Sequence, residues 1–348
     1  MSGVNKNMKN TTANCVEGNH QRVVHRSLGV ISLFHYLIDS YASLFGPLMA
    51  LARMDAGRIG LLGTLYSAST SFSQLMFGYL SDRLGLRRFA VVGLMMAAIS
   101  LSIAPVMLDS PMALACALVV GGLGVAAFHP AGVVLAARSL PERPALGVSI
   151  FITIGTAGFA IGPVAYVLFA EKYGLQSSGW LVVPGLLVLP LAWLLPNSVV
   201  VPRPGSESVS RRVRAFLGTH GSALLPIYIF VVVRSGIQIA LISFVPTVMI
   251  QRGHPDTAAG LAAMCFSGGG ALGMLVWGML AGNYDRRALQ VISVLVGTPI
   301  SLLFLYADGL PLPASLALLG LTGFFVLSTN TMHIVMGQEL SPQHASTI

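Results

Sequence analysis

The 348-residue sequence predicts an all-α integral membrane protein, and three observations carry that reading. First, 55% of the residues are hydrophobic and only 9% are charged. Soluble domains carry about a quarter charged residues, so a surface this poor in charge must face lipid. Second, the chain divides into ten apolar stretches, each near the roughly 20 residues that a helix needs to cross a bilayer. Third, Lys and Arg crowd into alternate gaps between the stretches, as in a chain that holds its basic loops on one side of a membrane.

The ten stretches fall near residues 28–50, 58–80, 89–108, 112–137, 146–170, 179–196, 223–249, 259–281, 289–307 and 313–336. The longest internal polar break is 197–222. It gives four expected parts: a polar tail over 1–27, a six-helix half over 28–196, a central loop over 197–222, and a second half over 223–348. That second half has room for four helices and lacks the last two that a matching half would need. The tail has no short apolar core followed by a small-residue cleavage site, so no cleaved signal peptide is read. Thirty-eight glycines and nineteen prolines are compatible with membrane helices, where neighbouring helices and waters satisfy the freed backbone.

Charge fixes the expected orientation. Lys6, Lys9, Arg22, Arg26, Arg83, Arg87, Arg88, Arg138, Arg143, Arg203, Arg211, Arg212, Arg214, Arg286 and Arg287 fall on one side; Arg53, Arg58, Lys172 and Arg252 fall on the other. The richer side is the cytoplasmic one, which puts the N-terminus and the central loop in the cytoplasm. The same distribution accounts for the net charge of +8, so the charge does not signal nucleic acid. Cys15, Cys116 and Cys265 show neither paired spacing nor a metal-ligand pattern. No cofactor, no metal and no disulfide framework are expected.

An internal repeat runs at an offset close to 200. Leu44-Phe45-Gly46-Pro47-Leu48-Met49 resembles Phe244-Val245-Pro246-Thr247-Val248-Met249. Gly78-Tyr79-Leu80-Ser81, before Asp82-Arg83, resembles Gly278-Met279-Leu280-Ala281, before Asp285-Arg286. Ser139-Leu140-Pro141 resembles Glu339-Leu340-Ser341-Pro342. An even number of spans separates the copies, so the two halves run parallel. Transporters place their substrate site at the interface of such halves.

The segment Gly78-Tyr-Leu-Ser-Asp82-Arg83-Leu-Gly85-Leu-Arg87-Arg88 resembles the signature loop of the major facilitator superfamily, Gly-x-x-x-Asp-Arg-x-Gly-Arg followed by two basic residues, departing from it at Leu86. It lies between the second and third spans, on the side expected to be cytoplasmic, and a degenerate copy lies at Gly278 to Arg287. Phe128-His129-Pro130 in span four, with His35 and Asp39 in span one, resembles the fosmidomycin-resistance branch. That branch often has glutamate after the proline, where this sequence has Ala131. Gly158-Phe-Ala-Ile-Gly162-Pro163 resembles the core of the family's antiporter motif. The resemblance implies two parallel helix bundles around a central cavity, and export of a small molecule in exchange for protons. It also implies that Gly78, Asp82, Arg83, Gly85, Arg87 and Arg88 form a conformational-switch loop.

Individual residues carry more specific expectations. An ionisable group at membrane depth costs about 2.5–3.5 kcal/mol on insertion scales, so it belongs inside the protein or beside water. Asp39 lies mid-span, where low dielectric penalises the carboxylate. His35, four residues earlier, shares its helix face, and the pair is assigned to proton coupling. Arg234 lies mid-span in helix seven; it keeps its proton and suits a substrate anion, a counter-ion role toward Asp39, or a snorkelling position at the helix edge. With His129 and Gln238 it makes up the expected substrate contacts. His129 precedes a proline, so a local helix break is expected there. Gly158, Gly162 and Pro163 are assigned to close helix packing.

The sequence therefore predicts a secondary transporter, and no catalytic triad or phosphate loop points to an enzyme. Uptake or facilitated diffusion of a small anion, and a non-transporting scaffold or sensor, are the alternatives. The expected setting is a bacterial inner membrane, with a small-molecule substrate, protons and the lipid bilayer as partners, no nucleic acid, and a monomeric state. A reporter that is active only in the cytoplasm, fused at the N-terminus or within 197–208, should be active. Activity after Arg53 instead would invert the topology.

Overall fold

The computed structural model describes residues 26–196 and 209–340. The polar tail up to residue 25, the first part of the central loop (197–208) and residues 341–348 lie outside the described residues, together with Lys6, Lys9, Arg22, Arg203 and the Ser341-Pro342 end of the repeat. The described chain is a run of ten helical elements: α1 Arg26–Leu51, α2 Ala56–Leu84, α3 Leu86–Ile103, α4 Pro111–Ser139, α5 Pro144–Tyr173, α6 Leu175–Leu194, α7 Val209–Gln251, α8 Thr257–Leu280, α9 Arg286–Tyr306 and α10 Leu312–Leu340. Nine stretches of them are long and apolar enough to cross a bilayer. The exception, α2, has the length but carries Ser67, Ser69, Thr70, Ser71, Ser73 and Gln74 in its middle. Two of those hydroxyls bond back to their own helix, Ser69 to the Tyr66 carbonyl and Thr70 to the Ser67 carbonyl, which keeps them satisfied without water.

Local chemistry explains the breaks. α1 is interrupted by a turn at residues 43–44, four residues ahead of Pro47, whose ring crowds the carbonyl one turn back. Asp55 and Asp285 cap α2 and α9 by accepting from the Arg58 and Ala288 amides at 3.0 and 2.8 Å, satisfying amides that a helix start leaves unpaired. Gly85 joins α2 to α3 at φ +110°, a region that side-chain-bearing residues avoid. α6 is mostly 3-10 helix, its second 3-10 stretch opening at Pro190, which removes a backbone donor.

Two sequence expectations are corrected. The second part of the central loop is not a loop, because α7 begins at Val209 and continues unbroken through the expected start of its span at 223. A polar, basic stretch continues a helix as readily as it makes a loop once no proline interrupts it. The helix around His129 is not broken either: α4 runs through Pro130 to Ser139, so the proline removes one internal hydrogen bond and leaves the helix continuous. The cysteines differ from each other, Cys116 being exposed and Cys265 half-buried.

Two large hydrophobic cores form among the described residues, beside a small one around Trp277 and Leu289. One is built from residues of α1 to α6, including Phe34, Ile38, Leu94, Phe128, Phe151 and Tyr166. The other is built from α7 to α10, including Leu241, Val245, Phe266, Phe304 and Leu327. The repeat is visible in the backbone. After α1, the amides of Ala52, Arg53 and Met54 bond to the carbonyls of Leu48, Ala50 and Met49. After α7, the amides of Arg252, Gly253 and His254 bond to those of Val248, Ile250 and Met249. Each bond in one turn has its counterpart 200 residues later. The middle residue is left-handed in both, Gly253 at φ +82° and Arg53 at φ +53°.

The halves meet at the end of the bundle remote from the N-terminus. There Gly46 abuts the Ile242 carbonyl and Pro246, Gly63 faces Ser243, and Gly260 sits on the Pro163 carbonyl. The space left between α1, α5, α7 and α8 holds about 10 Å³ and is walled by Phe159, Pro163, Val245, Pro246 and Phe266, an apolar seal with no room for a file of water. An ion pair from Arg53 to Asp256, 2.7 Å, spans the halves outside it. Leucine at position 46 should force this end apart: spin labels on the α1–α2 and α7–α8 turns should move apart by several ångströms. Unchanged distances would show that the close approach at Gly46 is not what holds this end shut.

Candidate functional site

Asp39 lies about 20 Å from either end of α1 at 1.5 Å per residue. Its carboxylate is held by two histidines. His35 Nε2 lies 3.2 Å from Oδ2, and His129 Nε2 lies 3.2 Å from Oδ1. His35 comes from one turn earlier on α1, and His129 from α4. Each imidazole is anchored by its other nitrogen: His35 Nδ1 donates to the Phe151 carbonyl of α5 at 2.8 Å, and His129 Nδ1 donates to the Val125 carbonyl at 2.9 Å. A carbonyl oxygen only accepts. Both rings are therefore fixed in the form protonated at Nδ1, with Nε2 turned to the carboxylate.

Packing holds this orientation. The His35 ring stacks on Phe151, centroids 3.9 Å apart, and meets Phe128 at 5.8 Å. The two imidazoles stand edge to face at 5.1 Å. His35 is 4% exposed, whereas the His129 side chain is 27% exposed, so the cluster is more open on the His129 side. α5 makes room by having no side chains where α1 passes. A Cβ at position 155 would fall within the His35 ring, one at 158 would strike the Tyr36 carbonyl, and one at 162 would lie 2.6 Å from Ser43 Oγ. Gly158 and Gly162 thus bind α5 to α1 inside one half, while Pro163, next along, reaches Gly260 of the other.

The expected substrate contacts divide. His129 joins the Asp39 cluster. Arg234 and Gln238 pair with each other on α7, the guanidinium donating to the Gln238 carbonyl oxygen. Arg234 is buried and lines a cavity of about 310 Å³ with Phe230, Ile237, Ser293, Thr298 and Thr329. No ion pair joins it to Asp39 among the described residues. In the loop after α2, Arg83 lies over the Tyr79 ring at 4.2 Å and Arg87 over the Trp193 ring at 5.2 Å. Asp82 makes no ion pair among the described residues, Arg88 is exposed, and a Cβ added at Gly78 would lie 3.6 Å from Pro130. Leu86, where the loop departs from the family pattern, is fully buried in the first core. Sequence reasoning missed Gly155 and Phe151. A glycine three residues before Gly158, on nearly the same helix face, was the available signal for the first; nothing marks a carbonyl acceptor in advance.

Comparison with known proteins settles the family. The family model for the Major Facilitator Superfamily matches residues 28–348. The chain belongs to that superfamily. Among relatives, it is 25% identical to the fosmidomycin resistance protein of Escherichia coli (strain K12), over 90% of this chain and 79% of that one. It is 24% identical to the multidrug efflux pump Tap of Mycolicibacterium fortuitum, over 84% and 74%. In fold it is similar to the nucleoside transporter NupG, at a TM-score of 0.75 and 16% identity, over 93% of this chain and 85% of that one. A D-xylose-proton symporter gives 0.69 and 17%, over 91% and 83%. This major facilitator protein is thus a multi-pass membrane transporter for a small molecule, not an enzyme.

Valine at position 155 should displace His35 from its slot. Overpacking of this kind costs about 1–3 kcal/mol, so the melting temperature of the purified protein should fall. The same change at Gly60, where a Cβ meets nothing within 4 Å, should leave it unmoved. Equal melting temperatures for the two variants would mean that α5 yields freely and does not fix the imidazole.

Proposed function

We propose that the protein is a proton-coupled exporter working by alternating access, with Asp39, His35 and His129 as the coupling group. The single observation behind this reading is the bidentate clasp on Asp39. A carboxylate at this depth is expensive unless paired, and here its only described ionisable partners are imidazoles, which exist both with and without a second ring proton. An arginine partner would have held the charge permanently. A histidine pair instead makes the stability of the cluster depend on whether protons are present.

The clasp ties α1 to α4 and, through the Phe151 carbonyl, to α5. α1 and α5 are also the helices that carry the seal between halves, through Gly46 and Pro163. A change in the cluster therefore acts on elements that also meet the other half. A ligand shifts such an equilibrium only through different affinity for the two arrangements, and protons satisfy this when one arrangement keeps the clasp and the other opens it. With the N-terminus in the cytoplasm, as the loop charges suggest, the sealed end is external and the cluster opens to the cytoplasm.

The substrate is assigned to the space beside Arg234 and Gln238. A guanidinium in a cavity otherwise lined by apolar side chains and a few hydroxyls suits a small anion with an apolar body. The relatives, a fosmidomycin resistance protein and a multidrug efflux pump, favour export, and fosmidomycin is the natural first probe in a compound screen. The loop around Asp82 and Gly85 is assigned to the switch between states, with Gly85 as its hinge and Arg83 and Arg87 as its aromatic-stacked anchors.

Asp39→Asn keeps the shape and removes the charge. In everted vesicles with an imposed pH gradient, transport of any compound that the native protein moves should fall at least 100-fold in this variant, while membrane insertion and counterflow exchange without a gradient persist. Native rates under the gradient would reject Asp39 as the coupling residue. Transport by the native protein that ignores the gradient would favour facilitated diffusion instead.

A further inference from the structure

The Asp39 cluster has a countable set of places for protons, and the count carries an inference that rests on the coupling role proposed for Asp39. Two hydrogens are already committed, one on each Nδ1, because each faces a carbonyl at 2.8 or 2.9 Å. An imidazole protonated only at Nδ1 presents a lone pair at Nε2. A carboxylate oxygen presents lone pairs too. Two such atoms facing each other at 3.2 Å repel unless a hydrogen lies between them, and 3.2 Å is a bonded N–H···O separation. The cluster has two of these contacts, to different oxygens of one carboxylate.

We infer that the His35–Asp39–His129 cluster holds two exchangeable protons in this arrangement, one in each nitrogen–oxygen contact, so that two protons are available to a transport cycle. The balance is simple. With both imidazoles neutral and Asp39 ionised, the cluster carries −1. One proton brings it to zero and closes one contact; the second brings it to +1 and closes the other. The count is the same whether a proton rests on Nε2 or on the carboxyl oxygen, so it does not depend on the microscopic assignment.

The two positions are not equivalent. The His129 contact is the more accessible, with that side chain 27% exposed against 5% for His35. The His129 proton is therefore the first to exchange with the surroundings, and the His35 proton, under Phe128 and Phe151, is the second. Titratable groups on the surrounding elements leave the count alone. From α2 comes Tyr66, whose hydroxyl donates to the Ala42 carbonyl at 3.1 Å. α5 presents Phe151 and Gly155, neither of which titrates. A small cation other than a proton could also fit among three ligand atoms that lie within 4.8 Å of one another, so the experiment must distinguish it.

The test needs no substrate. The full chain, labelled with 15N-histidine, is placed in lipid nanodiscs. Nitrogen spectra report the protons on each ring, with signals assigned by His35→Gln and His129→Gln. The infrared carbonyl band of a protonated carboxyl, absent in Asp39→Asn, reports the remaining proton. At mildly acidic pH, charged imidazoles plus protonated Asp39 should sum to two. On transfer to deuterated water, the His129 Nε2 signal should exchange before that of His35. In His129→Gln the sum should fall to one. A sum of one or none in the native protein at mildly acidic pH overturns the inference, as does stoichiometric metal found by elemental analysis. A one-proton cluster in a protein whose Asp39→Asn variant still loses gradient-driven transport would sink the count while leaving the coupling role standing.

Discussion

A carboxylate at the middle of a bilayer has to be paid for by its neighbours, and the rest of the first half is arranged around the way Asp39 is. The pair of ε-nitrogens at 3.2 Å supplies the local compensation. Those nitrogens point inward only because both δ-nitrogens are tied to backbone carbonyls. The carbonyls belong to continuous helices, so the orientation of two side chains is inherited from the rigid backbone of α4 and α5. Pro130 belongs to the same scheme: by removing an amide just after His129 it loosens the ladder next to the ring without ending the helix.

Small residues make this geometry possible. A histidine ring needs space that a membrane helix interface rarely offers, and on α5 that space comes from Gly155, Gly158 and Gly162, spaced three and four residues apart along one face. The same absence of side chains that lets the imidazole in also brings α1 and α5 within backbone contact. Close contact of this kind makes a helix pair move as one body. The cluster and the seal at Gly46 and Pro163 therefore share a rigid unit, and the distance of roughly 10 Å along α1 between Asp39 and Gly46 is spanned by packed helix with one turn at residues 43–44.

Much of this was legible in the sequence, because membrane proteins write their architecture in composition. Ten apolar stretches gave ten helices, and the offset of 200 reappears as the same turn after α1 and after α7. Asp39 and His35 announced themselves by depth and by helical spacing. What stayed hidden was everything that depends on which helices are neighbours. His129 lies 90 positions from Asp39 in the chain, and the sequence grouped it with Arg234 because both are polar and deep. No periodicity within one helix reveals a partner on another. The start of α7 was missed for the opposite reason: polarity marks where a segment leaves lipid, not where its helix ends.

The two halves use the repeat asymmetrically, and this asymmetry is the last step that links fold to function. His35 and Asp39 form an i,i+4 pair on α1; Arg234 and Gln238 form one on α7, near the same register. One pair consists of groups that change charge; the other joins a permanent cation to a neutral amide. A duplicated helix has thus been given a variable charge in one copy and a fixed charge in the other. On the proposed reading, an anion held by the fixed cation and protons held by the variable cluster need not touch. Each would have only to prefer a different arrangement of the two halves for their movements to be coupled.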